Sequence, residues 1–380
     1  MKRRNAVILS LILTAVAVLS TGCSGEKYYS QSKTVFSSSI VFSAQIMHAD
    51  GKGVYEQMYS AVQQIGQTVN AVDENSALYK FNQNSTTDWT EVNEHFYNLA
   101  STAKSVYEKT DGAFNCAVLD ATKAWGVDSV GIANYGYGQG QPTALPSPSE
   151  LTALKQSASM DNLSVKTESG KYYIRKTIPD LKLDFGGLAK GYCADLCAKI
   201  ARNLGVKSAL IDISGNIVLV GDYYENGNPK KWGVGVINPR KTASNSRYVC
   251  GFKTNGGVSI VTAGDYERYY SFDYGDGEKL RVCHIIDGQT LIPISLKTGG
   301  QGYEENAQAV CSATVVGESS MLCDAYATAI AVMGVERGKQ FLTDEGLSGL
   351  IFTADKKRAV VGQFDFVSSQ TLYLTEYQSV

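Results

Sequence analysis

The chain has 380 residues, of which 44% are apolar and 19% charged, and its formal net charge is -2. This is ordinary globular composition with ample core material for one large domain or two intimate ones. A slightly acidic chain without a basic stripe excludes a nucleic-acid binder.

Lys2, Arg3 and Arg4 precede an apolar run from Ala6 to Leu19, and small residues then lead to Cys23. This resembles a bacterial secretion signal, with an apolar run shorter than the ~20 residues of a comfortable membrane span. Leu19-Ser20-Thr21-Gly22-Cys23 looks like a lipobox whose leucine stands one place farther from the cysteine than usual. The pattern predicts a signal peptide over residues 1–22, lipidation at Cys23, a polar tether over 23–35 and a domain over 36–380. The expected location is outside the cell, lipid-anchored at the outer face of the bacterial cell membrane or in the periplasm. The seven remaining cysteines cannot all pair internally, and their apolar surroundings predict small buried core residues. Cys193 and Cys197 are a helical turn apart. Without convergent histidines, of which the chain has only His48, His95 and His284, a zinc site is excluded.

Phe36 to Met47 alternates and reads as a first strand. Val54 to Val72 has helical spacing, Asp73 to Asn82 reads as a polar turn with an aromatic anchor, and Glu94 to Lys109 is a second helix stopped by Asp111-Gly112. Asn134 to Glu150 is a Gly/Pro/Ser-rich loop. Leu163 to Ile174 and Lys182 to Phe185 look like strands, and Ala189 to Leu204 is an amphipathic helix. Ser208 to Val220 reads as strand–turn–strand. Further strands follow at Trp232 to Ile237, Gly256 to Thr262, Val282 to Ile286 and Cys311 to Val316. Helices at Met321 to Met333 and Glu336 to Thr343 precede closing strands at Leu350 to Thr353 and Arg358 to Val361. Strands and helices mix without strict alternation, which predicts an α+β fold with mixed or antiparallel sheets packed against helices.

Three stretches could carry chemistry. Leu183-Asp184-Phe185-Gly186-Gly187-Leu188-Ala189-Lys190-Gly191 is a glycine turn feeding a helix start. Many such turns are plain connectors, but bare amides, a helix dipole and a lysine together suit a phosphate or pyrophosphate. Asp324 and Thr328 are four apart in an apolar helix and share one face, about 6 Å apart along the axis. As hard oxygen ligands, completed by a carbonyl and a phosphate, they suit Mg²⁺. They could equally be a helix cap and a threonine bonded to its own backbone, but an aspartate in so apolar a helix needs a partner. His284, at a polar strand end, reads as a satisfied core histidine or a general base.

Taken in order, Ser76 to Asn82, Gly112-Ala113-Phe114-Asn115, Leu183 to Gly191, Asp212-Ile213-Ser214-Gly215-Asn216, Thr262 to Tyr266, His284 to Asp287 and Asp324 to Thr328 resemble the ApbE family. These are Mg²⁺-dependent FAD:protein FMN transferases, frequently exported lipoproteins. The resemblance spans roughly Phe36 to Val361 and implies a single catalytic domain of the T-fold-related kind. It implies transfer of FMN from FAD to a threonine or serine hydroxyl of another protein, with release of AMP. It places Gly187, Asp324 and Thr328 on the metal. Ala113, Phe114, Asn115, Asp184, Lys190 and Ile285 fall at the FAD site, and His284 is the base for the acceptor hydroxyl. Asn115 stands where Asp is usual, and Ser214-Gly215-Asn216 replaces a common Gly-Gly-Asp. Thr262-Ala263-Gly264 replaces Thr-Ser-Gly, and Asp287-Gly288-Gln289-Thr290-Leu291 replaces an Asp-Pro-x-Thr-Gly turn. None of the four Asp-Gly pairs, at Asp50, Asp111, Asp276 and Asp287, continues as the family's acceptor motif. The expected acceptor is therefore a separate exported or membrane protein of an electron-transfer system. The alternatives are an FAD pyrophosphatase that gives FMN to water and a non-catalytic flavin-binding lipoprotein.

Overall fold

The computed structural model describes residues 27–36, 40–128, 130–131, 140–241, 247–273, 279–299, 302–367 and 378–380, so the signal segment and Cys23 lie outside the described residues. Among these, nine strands form the frame, and they follow one another across the sheet in chain order. They are β1 (Tyr29–Val35), β2 (Ile40–Met47), β3 (Ser208–Ile213), β4 (Asn216–Val220), β5 (Ser259–Gly264), β6 (Val310–Gly317), β7 (Ser348–Thr353), β8 (Lys357–Val361) and β9 (Gln378–Ser379). Every neighbouring pair is antiparallel except β8 with β9, so the sheet is mixed.

Eight helices are described: α1 (Gly51–Val69), α2 (Ala77–Gln83), α3 (Glu94–Lys109), α4 (Leu119–Ala124), α5 (Pro148–Leu154), α6 (Ala189–Asn203), α7 (Ser320–Met333) and α8 (Val335–Asp344). Caps fix several starts. Asp50, Ser76 and Asn93 accept backbone N–H groups at α1, α2 and α3, and Ser147 with Glu150 forms a capping box at α5. In α1 the buried residues Val54, Met58, Val62 and Ile65 recur every three or four places and form one face.

Alternate side chains of the central strands go to different cores. Val261 of β5 and Ile351 of β7 face the cluster that also holds α3 and α7 residues. Their neighbours Ile260, Leu350 and Phe352 pack instead with Trp232, Val234 and Phe252 from a small sheet on the other side. Both faces are therefore covered, which is why these strands read as continuous apolar runs. A third cluster joins α1 and α6 over β2 and β3. Helix α6 packs between α1 and α7, and α7 lies on β5 and β6. The sheet thus seats α6 and α7 side by side with their N-terminal turns adjacent.

Three expectations are corrected. Tyr29–Val35 was assigned to the tether but is the edge strand β1, paired with β2 throughout. Its inward positions Tyr29, Gln31 and Lys33 are polar or amphipathic and only half-buried, so the alternation carries little hydrophobic signal. Ala77–Gln83 is a short helix, not a turn. Leu183 to Phe185 joins no strand: the Asn82 side chain takes a strand partner's place, its Nδ2 donating to the Leu183 carbonyl and its Oδ1 accepting from the Leu183 N–H, both at 2.8 Å.

Candidate functional site

The site forms where the Leu183–Gly191 loop and the start of α6 meet α7. Asn82 pins Leu183, and the Asp184 N–H donates to the Cys116 carbonyl at 2.8 Å. The Asp184 carboxylate then accepts the Gly186 N–H at 2.8 Å, which tightens the glycine turn. Leu188, the residue before helix α6, gives it no side-chain cap; the Gly191 N–H of its first turn is met instead by the Asp324 carboxylate at 3.1 Å, a negative charge at the positive end of the helix dipole. A Cβ on Gly187 would lie 3.0 Å from the Phe114 ring and 3.5 Å from Thr328 Oγ1, which places the Gly187 backbone against both.

Asp324 lies within α7 and is 3% exposed. The start of α7 is capped from α6: Asp195 accepts the Ser320 and Met321 N–H groups and the Ser319 hydroxyl. Asp324 is therefore not the cap of its own helix. Its carboxylate accepts Lys190 Nζ at 3.2 Å on each oxygen and the Gly191 N–H at 3.1 Å. Burial raises its pKa, while the Lys190 charge, the Gly191 N–H and the amide of Asn216 pull the other way. Asn216 is wholly buried, and among the described residues both of its amide atoms lie outside hydrogen-bond geometry with any group. It neighbours Asp324 without being satisfied by it. Thr328, a turn after Asp324, donates to the Asp324 carbonyl at 3.1 Å and leaves its oxygen lone pairs available.

The other predicted residues fall around this centre. Ala113, Phe114 and Ile285 are buried in the cluster that also contains Leu183, Phe185, Leu188 and Ala325. The Asn115 amide is already committed, donating to the Ala158 carbonyl at 2.9 Å and accepting the Ala117 N–H at 2.8 Å. A Cβ on Gly288 would lie 2.6 Å from the Asn115 amide nitrogen, so two of the departures from the family pattern interlock. A cleft of about 380 Å³ opens beside Gly112, Asn115 and Gly288, and its wall carries Glu108, Asp111 and Asp161. Three carboxylates make that wall unfavourable to a pyrophosphate, in contrast to the Lys190 ammonium beside Asp324.

His284 is half-buried. Its ring Nδ1 lies 3.1 Å from the Arg268 carbonyl, and since a carbonyl only accepts, Nδ1 carries the proton and Nε2 is the open acceptor. Burial, then the Arg268 charge, lowers its pKa to about 3, and Lys190 adds to the shift. Burial first, and then the Glu267 carboxylate, raises Asp212 to about 6. Burial also raises Glu267, against the charges of Arg268 and Lys190. Lys190 is thus the charge that Asp324, His284 and Glu267 all feel.

The candidate donors are oxygens: the Asp324 carboxylate, the Thr328 hydroxyl one helical turn on, and the Gly187 backbone beside that hydroxyl. Among the described residues no group of three His, Cys, Asp or Glu could hold a metal. One carboxylate with weaker oxygens fits a hard cation that completes its shell from a bound phosphate, as Mg²⁺ does. The unsatisfied Asn216 amide beside a buried carboxylate, and a glycine where a side chain would fill the space, agree with that fit.

The structure brings Asp324, Thr328, Gly187 and Lys190 together, and adds Asn82, Asp195 and Asn216, whose contacts the sequence does not announce. A buried polar residue in an apolar segment was the available signal for Asn82 and Asp195. Asn216 was visible only as a departure from a motif.

Fold and site together define an α+β protein in which a buried carboxylate, Asp324, meets Lys190 at the start of α6. The chain belongs to the ApbE family, whose model matches residues 33–351. It is 28% identical to an FAD:protein FMN transferase of Escherichia coli K12 over 289 residues, 76% of this chain and 73% of that one. It is also 28% identical to an FAD:protein FMN transferase of Treponema pallidum over 332 residues, 84% and 82% of the two chains. The fold matches the apbe protein of Thermotoga maritima with a TM-score of 0.70 at 24% identity, covering 88% of this chain and 97% of that one. It matches a flavin transferase ApbE of Vibrio cholerae with a TM-score of 0.69 at 21% identity, covering 88% and 98%.

Proposed function

We propose that this protein is an FAD:protein FMN transferase that uses Mg²⁺ and moves FMN from FAD to a threonine or serine hydroxyl of a separate protein. The carrying observation is the convergence of Lys190 Nζ, 3.2 Å from both Asp324 oxygens, with Thr328 and the Gly187 backbone at the start of α6. The names borne by the relatives point the same way. Asp324, Thr328 and the Gly187 carbonyl would hold the metal. Bound there, Mg²⁺ supplies charge neutralisation on the pyrophosphate. Lys190 binds the phosphate oxygens and draws their charge toward the protein. Phe114, Ala113 and Ile285 give the apolar wall that excludes water. His284 Nε2 takes the proton of the acceptor hydroxyl. That oxygen then bonds to the FMN phosphorus as the bond to the AMP oxygen breaks, and AMP leaves with the electron pair.

The acceptor is a separate exported or membrane protein of an electron-transfer system, since no acceptor-like motif follows any Asp-Gly of this chain. Cys23 carries the lipid that holds the enzyme at the membrane, and Cys23→Ser is expected to move it to the soluble fraction. Retention of that variant on membranes contradicts the anchor. The transferase reading is tested by the mass of an acceptor peptide after incubation with FAD and Mg²⁺. A gain of FMN with release of AMP supports it. FMN and AMP in solution with a bare peptide mean a pyrophosphatase, and bound FAD with no AMP means a binding protein.

A further inference from the structure

The ammonium of Lys190 makes three hydrogen bonds: to Asp324 Oδ1, to Asp324 Oδ2 and to the Gly186 carbonyl, each at 3.2 Å. These occupy all the donors that an ammonium has. The Gly191 N–H takes a further place on Oδ2 at 3.1 Å. An ammonium astride both carboxylate oxygens, with a backbone carbonyl as its third ligand, has the ligand set expected of a small hard cation. The Lys190 side chain is 19% exposed and that of Asp324 4%, so the lysine has room to leave while the carboxylate stays buried. Lysine also has the means, since its charge sits on a flexible four-carbon stem.

We infer that Lys190 is a built-in cation that holds the Asp324 site until substrate arrives, and then moves onto the pyrophosphate. The inference rests on the reading above that Asp324 binds the metal. Before substrate, a divalent cation approaching Asp324 meets the ammonium on the same two oxygens and is repelled. The pyrophosphate offers Lys190 a stronger anion a short rotation away, which releases the Asp324 oxygens. The freed Asp324 oxygens would then hold the metal, which would supply charge neutralisation to the phosphate. Metal and FAD therefore favour each other's binding, and linkage requires the effect to be equal in both directions. The same device keeps a buried carboxylate from standing unpaired between turnovers, and it keeps the site from filling with metal that has no phosphate to act on.

The test uses the full chain in mildly alkaline buffer, with Mn²⁺ alone as the probe and the loss of free Mn²⁺ signal by electron paramagnetic resonance as the readout. The wild type is expected to bind Mn²⁺ weakly. Lys190→Met, which keeps most of the stem and loses the charge, is expected to bind it about tenfold more tightly, within the usual range of such couplings. Lys190→Gln serves as a second neutral variant should Met fold poorly. Damage to the fold lowers metal affinity, so a gain is not a structural artefact. Unchanged or weaker Mn²⁺ binding in both neutral variants overturns the inference, and leaves the transferase reading intact if Asp324→Asn still abolishes metal binding and transfer. Tight binding that survives Asp324→Asn in the Lys190→Met background overturns the metal assignment as well.

Discussion

Gly191→Ala separates two opposed effects at the seam of the site. On helix propensity alone, alanine inside α6 should stabilise the protein by about 1 kcal/mol. The seam forbids it. A Cβ at position 191 would lie 2.3 Å from the Ser320 carbonyl oxygen, 2.6 Å from its carbon and 2.7 Å from Met321 Cα. All three are backbone atoms of the capped start of α7, held by Asp195, so no side chain can turn aside. The helices must part by about 1 Å, at an overpacking cost of ~1–3 kcal/mol that can exceed the propensity gain. The separation also pulls the Gly191 N–H and Lys190 from Asp324. A misplacement of that size lowers turnover by roughly a hundredfold. Thermal unfolding and FMN transfer to a peptide measure the two effects. A variant that is more stable than the wild type and fully active would refute the claim that this contact sets the site.

Asp212→Asn tests the charge chain beyond Lys190. Asp212 has a folded pKa of about 6 against 3.8 ordinarily, so the folded state holds the proton more tightly. Its ionisation thus lowers stability as pH rises from about 4 through about 6, and the full cost persists above that. Asn keeps an oxygen for the Gly215 N–H and should raise stability above pH ~6 by at most about 3 kcal/mol, with little change near pH ~4. An equal change at both pH values, followed by thermal unfolding, contradicts this. His284→Ala should lower transfer by less than the ~10²–10⁴-fold worth of a well-matched general base, because its lowered pKa weakens it as a base. Because burial holds His284 near 3, the wild-type rate should show no inflection at the ordinary histidine pKa of 6.5. An inflection there that vanishes in His284→Ala would sink the neutral histidine.

What was legible in the sequence depended on range. Asp324 and Thr328 declare themselves because a helix brings residues four apart onto one face. The Leu183–Gly191 turn was visible as glycines before an amphipathic stretch. The partners that give these residues their chemistry lie far away along the chain. Lys190 reaches Asp324 across 134 positions, Asn82 brackets Leu183 across 101, and Asp195 caps Ser320 across 125. No local periodicity encodes such pairs. The strand at Lys182 to Phe185 was misread for the same reason, because an asparagine side chain imitates a strand edge. The edge strand β1 was missed because its inward face is tyrosine, glutamine and lysine. Lys33 lies there with its ammonium 4.2 Å from the Tyr59 ring and paired to Glu56 at 2.8 Å. The seven described cysteines are all free and buried, as their apolar surroundings predicted.

The central claim is that Asp324 holds the metal that lets FMN pass to a hydroxyl acceptor. It is tested most directly by mass spectrometry of a threonine-bearing acceptor peptide incubated with FAD and Mg²⁺, with the wild type and with Asp324→Ala. The account predicts FMN on the peptide and free AMP with the wild type, and neither with the variant. FMN transfer that survives Asp324→Ala would contradict it.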